Sequence, residues 1–327
     1  MHGMDVTTMT LSSYLDEWLE LARTQVRAST FQGYMFRCNA YLRPGLGDCL
    51  VGELTVPQLN LFFIWLLHQG GEDGGPLKRT TLDGVHRVLR KALGDAVRAG
   101  RLGHNPVSRV TLPKHDPDRG LEPDTLQVWD ATQAARFLEL SVDDHMYGVW
   151  RLALATGMRR GELLGLRWSD VDLSVPQLRV MKSLTHVKGM FRLGATKTGR
   201  GRVLAIDQTT ADILAGLPPP TDPDWPMVFI GRNARPWRPN HVTRRWCEQW
   251  PGLELPRIRL HDLRHTHACL LLDQGVPIKV VSERLGHSTT ARTLNTYTHV
   301  LPAQDHEAAL AIQRAMRGQR RPPGTRP

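Results

Sequence analysis

Residues 105–124 read NPVSRVTLPKHDPDRGLEPD, with four prolines and no apolar period, and they separate two stretches in which apolar residues recur at helical spacing. Such a segment cannot carry a hydrophobic core through itself, and 327 residues exceed what one average core organises. Two cores are therefore expected. The boundaries read as a helical domain over 1–110, a linker over 111–125, a second domain over 126–305, and a C-terminal helix with a basic tail over 306–327.

In the first stretch, Leu11, Tyr14, Leu15, Trp18 and Leu19 recur at spacings of three and four, which opens a helical domain. A second helix is expected to start at the capping sequence Thr80-Thr81-Leu82-Asp83 and to bury Leu82, Val85, Leu89, Leu93 and Ala96. Its opposite face carries Arg87, Arg90, Lys91 and Arg98. Such a face is either simply solvated or a DNA-backbone contact. The scarcity of balancing acids, Asp95 apart, favours the DNA contact.

Charge points the same way. Lys and Arg number 42 against 32 Asp and Glu, a net charge of +10, so a partner with dense negative charge is expected. Only seven of the cations are Lys, and Arg offers a planar fork matched to pairs of phosphate oxygens. The four cysteines, Cys38, Cys49, Cys247 and Cys269, have neither CxxC nor zinc-site spacing and read as reduced intracellular thiols. The longest apolar run, Leu61 to Leu67, falls far short of the ~20 residues of a membrane span, so a cytoplasmic protein is expected.

The second stretch combines helical segments at Thr132 to Leu140 and Tyr147 to Leu154 with a glycine-broken β-rich stretch from Leu178 to Ile206. Its chemistry is that of phosphate handling. Thr156-Gly157 should stop one helix and Arg159 should stand at the N-terminus of the next, where amides and dipole favour an anion. Arg159 is alternatively a surface arginine, and Glu162, one turn on, either orients it or forms a surface ion pair. Lys197, between two β segments beside glycines, reads as a solvated lysine on the exposed tip or edge of a hairpin, or as a proton donor to a leaving alkoxide. Lys182 and Lys188 are its rivals. His261 and Arg264, three apart, share a helical face, while Leu263, Ala268, Leu270 and Leu271 supply core positions. His261, His265 and His267 form a cluster without HExxH or zinc-site spacing, which disfavours a metal site. His287 follows Gly286, and Tyr297, ten residues on, is by itself an ordinary packed or surface tyrosine.

Taken in order, these pieces resemble the signature of the tyrosine recombinases, or phage integrase family. Thr156, Gly157, Arg159 and Glu162 match TGxRxxE; Lys197 in TKTGRGR matches the β-hairpin lysine; His261 and Arg264 match HxxR; His287 matches LGH; and Tyr297, with His299 behind it, falls where TxxYxH carries the nucleophile, with Leu294 in place of that pattern's Thr. The segments LDEWLE, RASTFQGY, LTVPQL, RTTLDGVHRVLRKALGDAV and NPVSRV resemble the family's core-binding domain, so the likeness spans most of residues 9 to 305. The implied fold is mainly α with a small antiparallel β-sheet: a helical SAM-like core-binding domain plus the tyrosine recombinase catalytic domain, the DNA breaking-rejoining enzyme fold. The chain starts almost directly at its core-binding region, which leaves no separate arm-binding domain to expect.

The resemblance implies that Arg159 and Arg264 neutralise the nonbridging phosphate oxygens, His261 takes the tyrosine proton, His287 hydrogen bonds the phosphate, Lys197 protonates the 5′ oxygen and Tyr297 attacks. It implies double-stranded DNA as partner, a homo-tetramer on synapsed DNA, and neither metal nor ATP, and it leaves room for an accessory DNA-bending or directionality factor. The biological setting it favours is integration and excision of a phage or mobile element. Competing readings are resolution of chromosome dimers, a topoisomerase-like nicking activity and a DNA-binding regulator that does not cut.

Overall fold

The computed structural model describes residues 6–113 and 127–297, except 72, 188, 198, 200, 232, 251 and 252, together with positions 313 and 316; at 292 and 295–297 it describes the backbone alone. Lys188, His299, the basic tail and all but two positions of the expected C-terminal helix lie outside the described residues. The chain divides into two compact units, Met1–Asp124 and Thr125–Pro327.

In the first unit, α1 (Leu11–Gln25) begins where Thr10 accepts a hydrogen bond from the Ser13 amide at 3.3 Å. Its expected stripe of Leu11, Tyr14, Leu15, Trp18 and Leu19 is buried. Helix α2 (Ala28–Arg37) passes through one π turn, Cys38–Leu42, into α3 (Arg43–Leu46). Helix α4 (Val56–Gln69) is capped by Thr55, and α5 (Arg79–Arg98) crosses the unit. Tyr14 Oη donates to the Ala92 carbonyl at 2.6 Å and Trp18 Nε1 to Asp95 Oδ2 at 2.8 Å, so α1 is fixed to α5 by polar as well as apolar contacts.

Helix α5 buries Leu82, Val85, Leu89, Leu93 and Ala96 as its periodicity requires, but its start differs from the expected one. Lys78 is the cap residue, without a side-chain cap bond, and the first turn is instead held by Arg79 Nε to Asp83 Oδ1 at 3.0 Å. The proline-rich stretch also begins inside this unit: Pro106–Arg109 forms a 3-10 turn with Pro106 and Val107 buried.

The second unit opens with α6 (Ala131–Leu140), where Asp130 and Gln133 cap each other reciprocally. Then come α7 (Tyr147–Thr156), α8 (Arg160–Leu164), β1 (Val171–Asp172), β2 (Gln177–Val180), β3 (Lys182–Val187), β4 (Met190–Ala195) and β5 (Arg202–Ala205). Helices α9 (Gln208–Ala215), α10 (Pro239–Glu248), α11 (Asp262–Asp273), α12 (Ile278–Leu285) and α13 (Thr290–Tyr297) complete it. All described strand pairs are antiparallel, but they form two sheets rather than one, β1-β2-β5 and β3-β4. Lys197 therefore does not sit at the tip of a hairpin. It lies in the link between β4 and β5, which pair with different partners, whereas the hairpin formed by β3 and β4 closes beyond the Val187–Met190 pair.

Trp129, Phe137, Trp150 and Trp246 form the aromatic centre of this unit, each at most 1 % exposed, with ring centroids 4.8 to 5.9 Å apart for the contacting pairs. Helix α11 buries Leu263 and Ala268 as expected, but also Arg264, Thr266, His267, Cys269 and Leu272, while Leu270 and Leu271 are only half-buried. A helix buried on nearly all sides can carry polar groups only if each has a partner, and those partners define the site.

Candidate active site

Two left-handed glycines end two helices at one place. Gly157 (φ 62°) closes α7 and Gly286 (φ 64°) closes α12, each the conformation that a side chain resists. Space is short as well: a Cβ at Gly157 would lie 2.7 Å from His267 Cδ2, and one at Gly286 would press on Arg202 Nη1 at 3.0 Å.

Arg264 bridges these two helix ends. Its Nη1 donates to the Gly157 carbonyl and its Nη2 to the Leu285 carbonyl, both at 2.6 Å, and the side chain is 3 % exposed. A guanidinium has five donors in a fixed plane, so fixing two of them on main-chain carbonyls sets the direction of the whole fork.

Thr156 turns back to donate to the Leu152 carbonyl at 2.5 Å, and its hydroxyl accepts from the Met158 amide at 3.3 Å, which delivers the chain to Arg159. Arg159 is the cap residue of α8, the helix-start position read from the sequence. Its amide and Nη1 donate to the two oxygens of Glu162 at 3.1 and 2.8 Å, and its Nη2 reaches the Gly286 carbonyl at 3.3 Å. Glu162 is not a surface partner: it is 1 % exposed and takes a second cation, Arg202 Nη2, at 2.7 Å. Burial, the largest influence on its carboxyl, pushes the pKa up, but the Arg202 hydrogen bond and charge, then Arg159, outweigh it and hold the group below the usual carboxylate range.

His261 caps α11, with its ring edge-on to His265 at 5.2 Å between centroids. Although the residue is solvent-exposed, protein atoms crowd its ring. That desolvation, then the nearby His265, Arg264 and Arg159, lower its pKa to about 4. The imidazole is thus neutral at pH 7 and able to accept a proton. His267, by contrast, is committed to packing: its ring fills the space beneath Gly157, Nδ1 lies 2.7 Å from the Leu154 carbonyl, and burial lowers its pKa to about 4. Among the described residues, no three His, Cys, Asp or Glu side chains converge as metal ligands.

His287 follows Gly286 directly, and its Nδ1 lies 2.7 Å from the hydroxyl of Thr293, a fully buried residue of α13. Tyr297 is the last residue of α13, one turn beyond that anchor; its side chain lies outside the described residues. Five of the residues singled out from the sequence, Arg159, Glu162, His261, Arg264 and His287, thus share one neighbourhood. Lys197 is exposed. Arg202 and Thr293 were not singled out. No local signal marked Arg202, whose partners are distant in sequence, whereas Thr293 could have been found by its spacing of four from Tyr297.

In the first unit, Arg87, Arg90, Lys91 and Arg98 are all exposed on one face of α5. Asp95 pairs with Lys91 at 3.0 Å and also with Arg98, so this face is less uniformly basic than its cations suggest. Arg87 and Arg90 have no acidic partner among the described residues.

One change tests the geometry at the helix ends. Gly286→Ala should destabilise the fold by roughly 1–2 kcal/mol from left-handed strain alone, with more if Arg202 cannot move aside. Denaturant unfolding would measure it, and an unchanged midpoint would contradict the packing described.

Residues 128–304 match the model of the phage integrase family. The chain is 25% identical to a tyrosine recombinase XerC-like protein of Caldanaerobacter subterraneus over 94% of this chain and 83% of that one. It is 30% identical to tyrosine recombinase XerC of Pseudomonas aeruginosa over 88% and 89%, and 26% identical to an integrase of Saccharopolyspora erythraea over 92% and 81%. Among solved structures, the Tn1549 transposon integrase in complex with a circular intermediate DNA matches with a TM-score of 0.74 at 19% identity, covering 88% of this chain and 95% of that one. A lambda integrase dimer bound to a core site matches at 0.68 and 18% identity over the same shares. At these identities the structural likenesses establish the fold.

Proposed function

Since the chain belongs to the phage integrase family and is a tyrosine-type site-specific recombinase, we propose that Tyr297 cuts duplex DNA by attacking a phosphate held by Arg159 and Arg264. The observation that carries this reading is the meeting of Arg159, Arg264, His261 and His287 around two glycine-ended helices, with α13 tied to His287 one turn before Tyr297.

Attack at phosphorus builds charge on the nonbridging oxygens, and oriented guanidinium groups stabilise that charge without having to reorganise. The neutral His261 accepts the tyrosine proton, and His287 donates a hydrogen bond to the phosphate. Lys197 protonates the leaving 5′ oxygen. Its exposed position between β4 and β5 requires that this link close on the phosphate when DNA binds. The phosphotyrosine diester retains the bond energy of the one it replaces, so a 5′ hydroxyl from a partner strand can reverse the attack and reseal the backbone without ATP.

Duplex DNA as substrate is supported by the DNA held in the Tn1549 and lambda integrase structures and by the exposed cations of α5. Arg87, Arg90, Lys91 and Arg98 are assigned to its backbone. A tetramer on synapsed DNA is supported by a lambda integrase structure that is a tetramer on a Holliday junction. Integration and excision of a mobile element is supported by the integrase-named relatives; dimer resolution is the second reading, favoured by the 30% identity to a XerC protein. No helix among the described residues is long and apolar enough to cross a membrane.

The test is covalent capture from a randomised library of nicked duplexes, in which the short fragment that carries the released 5′ hydroxyl diffuses away and strands the protein on DNA. Recovery of one sequence on denatured protein supports the reading, and its place at the ends of a mobile element or near the chromosome terminus separates the two settings. A protein that enriches a sequence by binding but forms no denaturation-resistant adduct would instead be a regulator that does not cut.

A further inference from the structure

The Arg159–Glu162 pair presents an electrostatic difficulty. A carboxylate 2.8 Å from a phosphate-binding guanidinium cancels much of the field that the guanidinium is meant to supply. Glu162 is also 1 % exposed, so water cannot screen it.

The structure supplies a second cation on the other oxygen. Arg202, at the head of β5, donates from Nη2 to Glu162 Oε2 at 2.7 Å and from Nε to the Arg284 carbonyl at 2.7 Å, with only 11 % of its side chain exposed. Its guanidinium lies along the face of Gly286 where a side chain would be, 3.0 Å from the Cβ that the glycine lacks. The Gly286 carbonyl is in turn the acceptor for Arg159 Nη2. Arg202 thus touches both groups that hold Arg159, the carboxylate and the helix end, and it lies five residues after Lys197.

We propose that Arg202 is a positioning residue for DNA cleavage: it offsets the charge of Glu162, so that Arg159 keeps its positive field towards the phosphate, and it braces Gly286, on which Arg159 and His287 depend. Glu162 can then aim Arg159 without quenching it. The group of three carries one net positive charge, whereas the Arg159–Glu162 pair alone carries none. The carboxylate of Glu162 responds to Arg202 more strongly than to Arg159, consistent with this division of labour.

The proposal rests on Arg159 as a phosphate-binding residue, and the test separates the two ideas. Single-turnover cleavage of a captured site is measured for the wild type, Arg159→Ala, Arg202→Gln and Arg202→Lys. Each is run on the natural phosphate and on a methylphosphonate at the scissile position, which has no anionic oxygen to neutralise. Arg202→Gln is expected to slow cleavage of the natural phosphate roughly 10- to 100-fold, as loss of a group supporting a reacting centre does, with DNA affinity unchanged. Arg202→Lys should recover most of that rate, and the Arg202→Gln defect should shrink on the neutral phosphate, which a merely structural role would not produce.

Wild-type cleavage by Arg202→Gln, or a defect equally large on both substrates, would overturn the proposal. Should Arg202→Gln fail to fold, Arg202→Lys carries the test: a defect undiminished on the neutral phosphate overturns it, while a normal rate or a diminished defect supports it. Normal cleavage by Arg159→Ala would overturn the site assignment itself; an inactive Arg159→Ala beside a fully active Arg202→Gln would overturn only the role of Arg202.

Discussion

Tyr297→Phe should leave no denaturation-resistant protein–DNA adduct, while the protein still binds its DNA site with unchanged affinity. The phenyl ring keeps the shape of the residue and removes only the oxygen that would attack. Because no other group can form the diester, the loss should be complete rather than graded. Uncatalysed phosphodiester cleavage is among the slowest of biological reactions, so no background rate can hide the defect. Gel-shift titration and denaturing gels on the same samples read the two quantities separately. An adduct formed by the variant would remove Tyr297 from its assigned role.

Arg264→Ala should fail in two ways at once. It removes one of the two guanidinium groups proposed to hold the phosphate, and loss of a single oriented donor to a developing oxyanion costs about 10² to 10³ in rate. It also strips the partners from the Gly157 and Leu285 carbonyls, both in the interior, and each buried unpaired polar group costs roughly 1–3 kcal/mol. The unfolding midpoint should therefore drop together with the cleavage rate. Arg264→Lys keeps the charge, but one ammonium cannot span two carbonyls and a phosphate in a fixed plane, so it should recover less than a conservative change suggests. Wild-type stability in Arg264→Ala would show that the two helix ends do not depend on this bridge.

These expectations rest on features that were unequally legible in the amino-acid order. The helix stop at Gly157 and the start at Arg159 were readable because each has a local cause: a residue free to adopt positive φ, followed by a cap. The buried face of α5 followed from periodicity alone. Its first residue did not, because the Arg79–Asp83 pair holds the first turn where a threonine cap was expected. The partition of β4 and β5 into different sheets, which moves Lys197 off a hairpin tip, depends on pairing across a distance; alternation within a strand carries no information about which neighbour it finds. Arg202 escaped notice for a related reason. It is one arginine among many, and only the fold places it between a buried carboxylate and a glycine distant in sequence.

The histidines show the same division. Three in one segment, His261, His265 and His267, look equivalent as a cluster, yet they have different tasks. His267 is fixed on the Leu154 carbonyl beneath a glycine turn, whereas His261 is the exposed cap residue of α11, its ring edge-on to His265 and its pKa lowered. Burial direction along a helix that is covered on nearly all sides decides between them, and no spacing rule supplies it.

The most direct measurement is the chemistry of the trapped bond: digest the captured protein–DNA complex with protease and nuclease and sequence the modified peptide by mass spectrometry. A nucleotide joined through its 3′ phosphate to the hydroxyl of Tyr297 is the expected result. A modification on any other residue, or a linkage through a 5′ phosphate, would contradict the account.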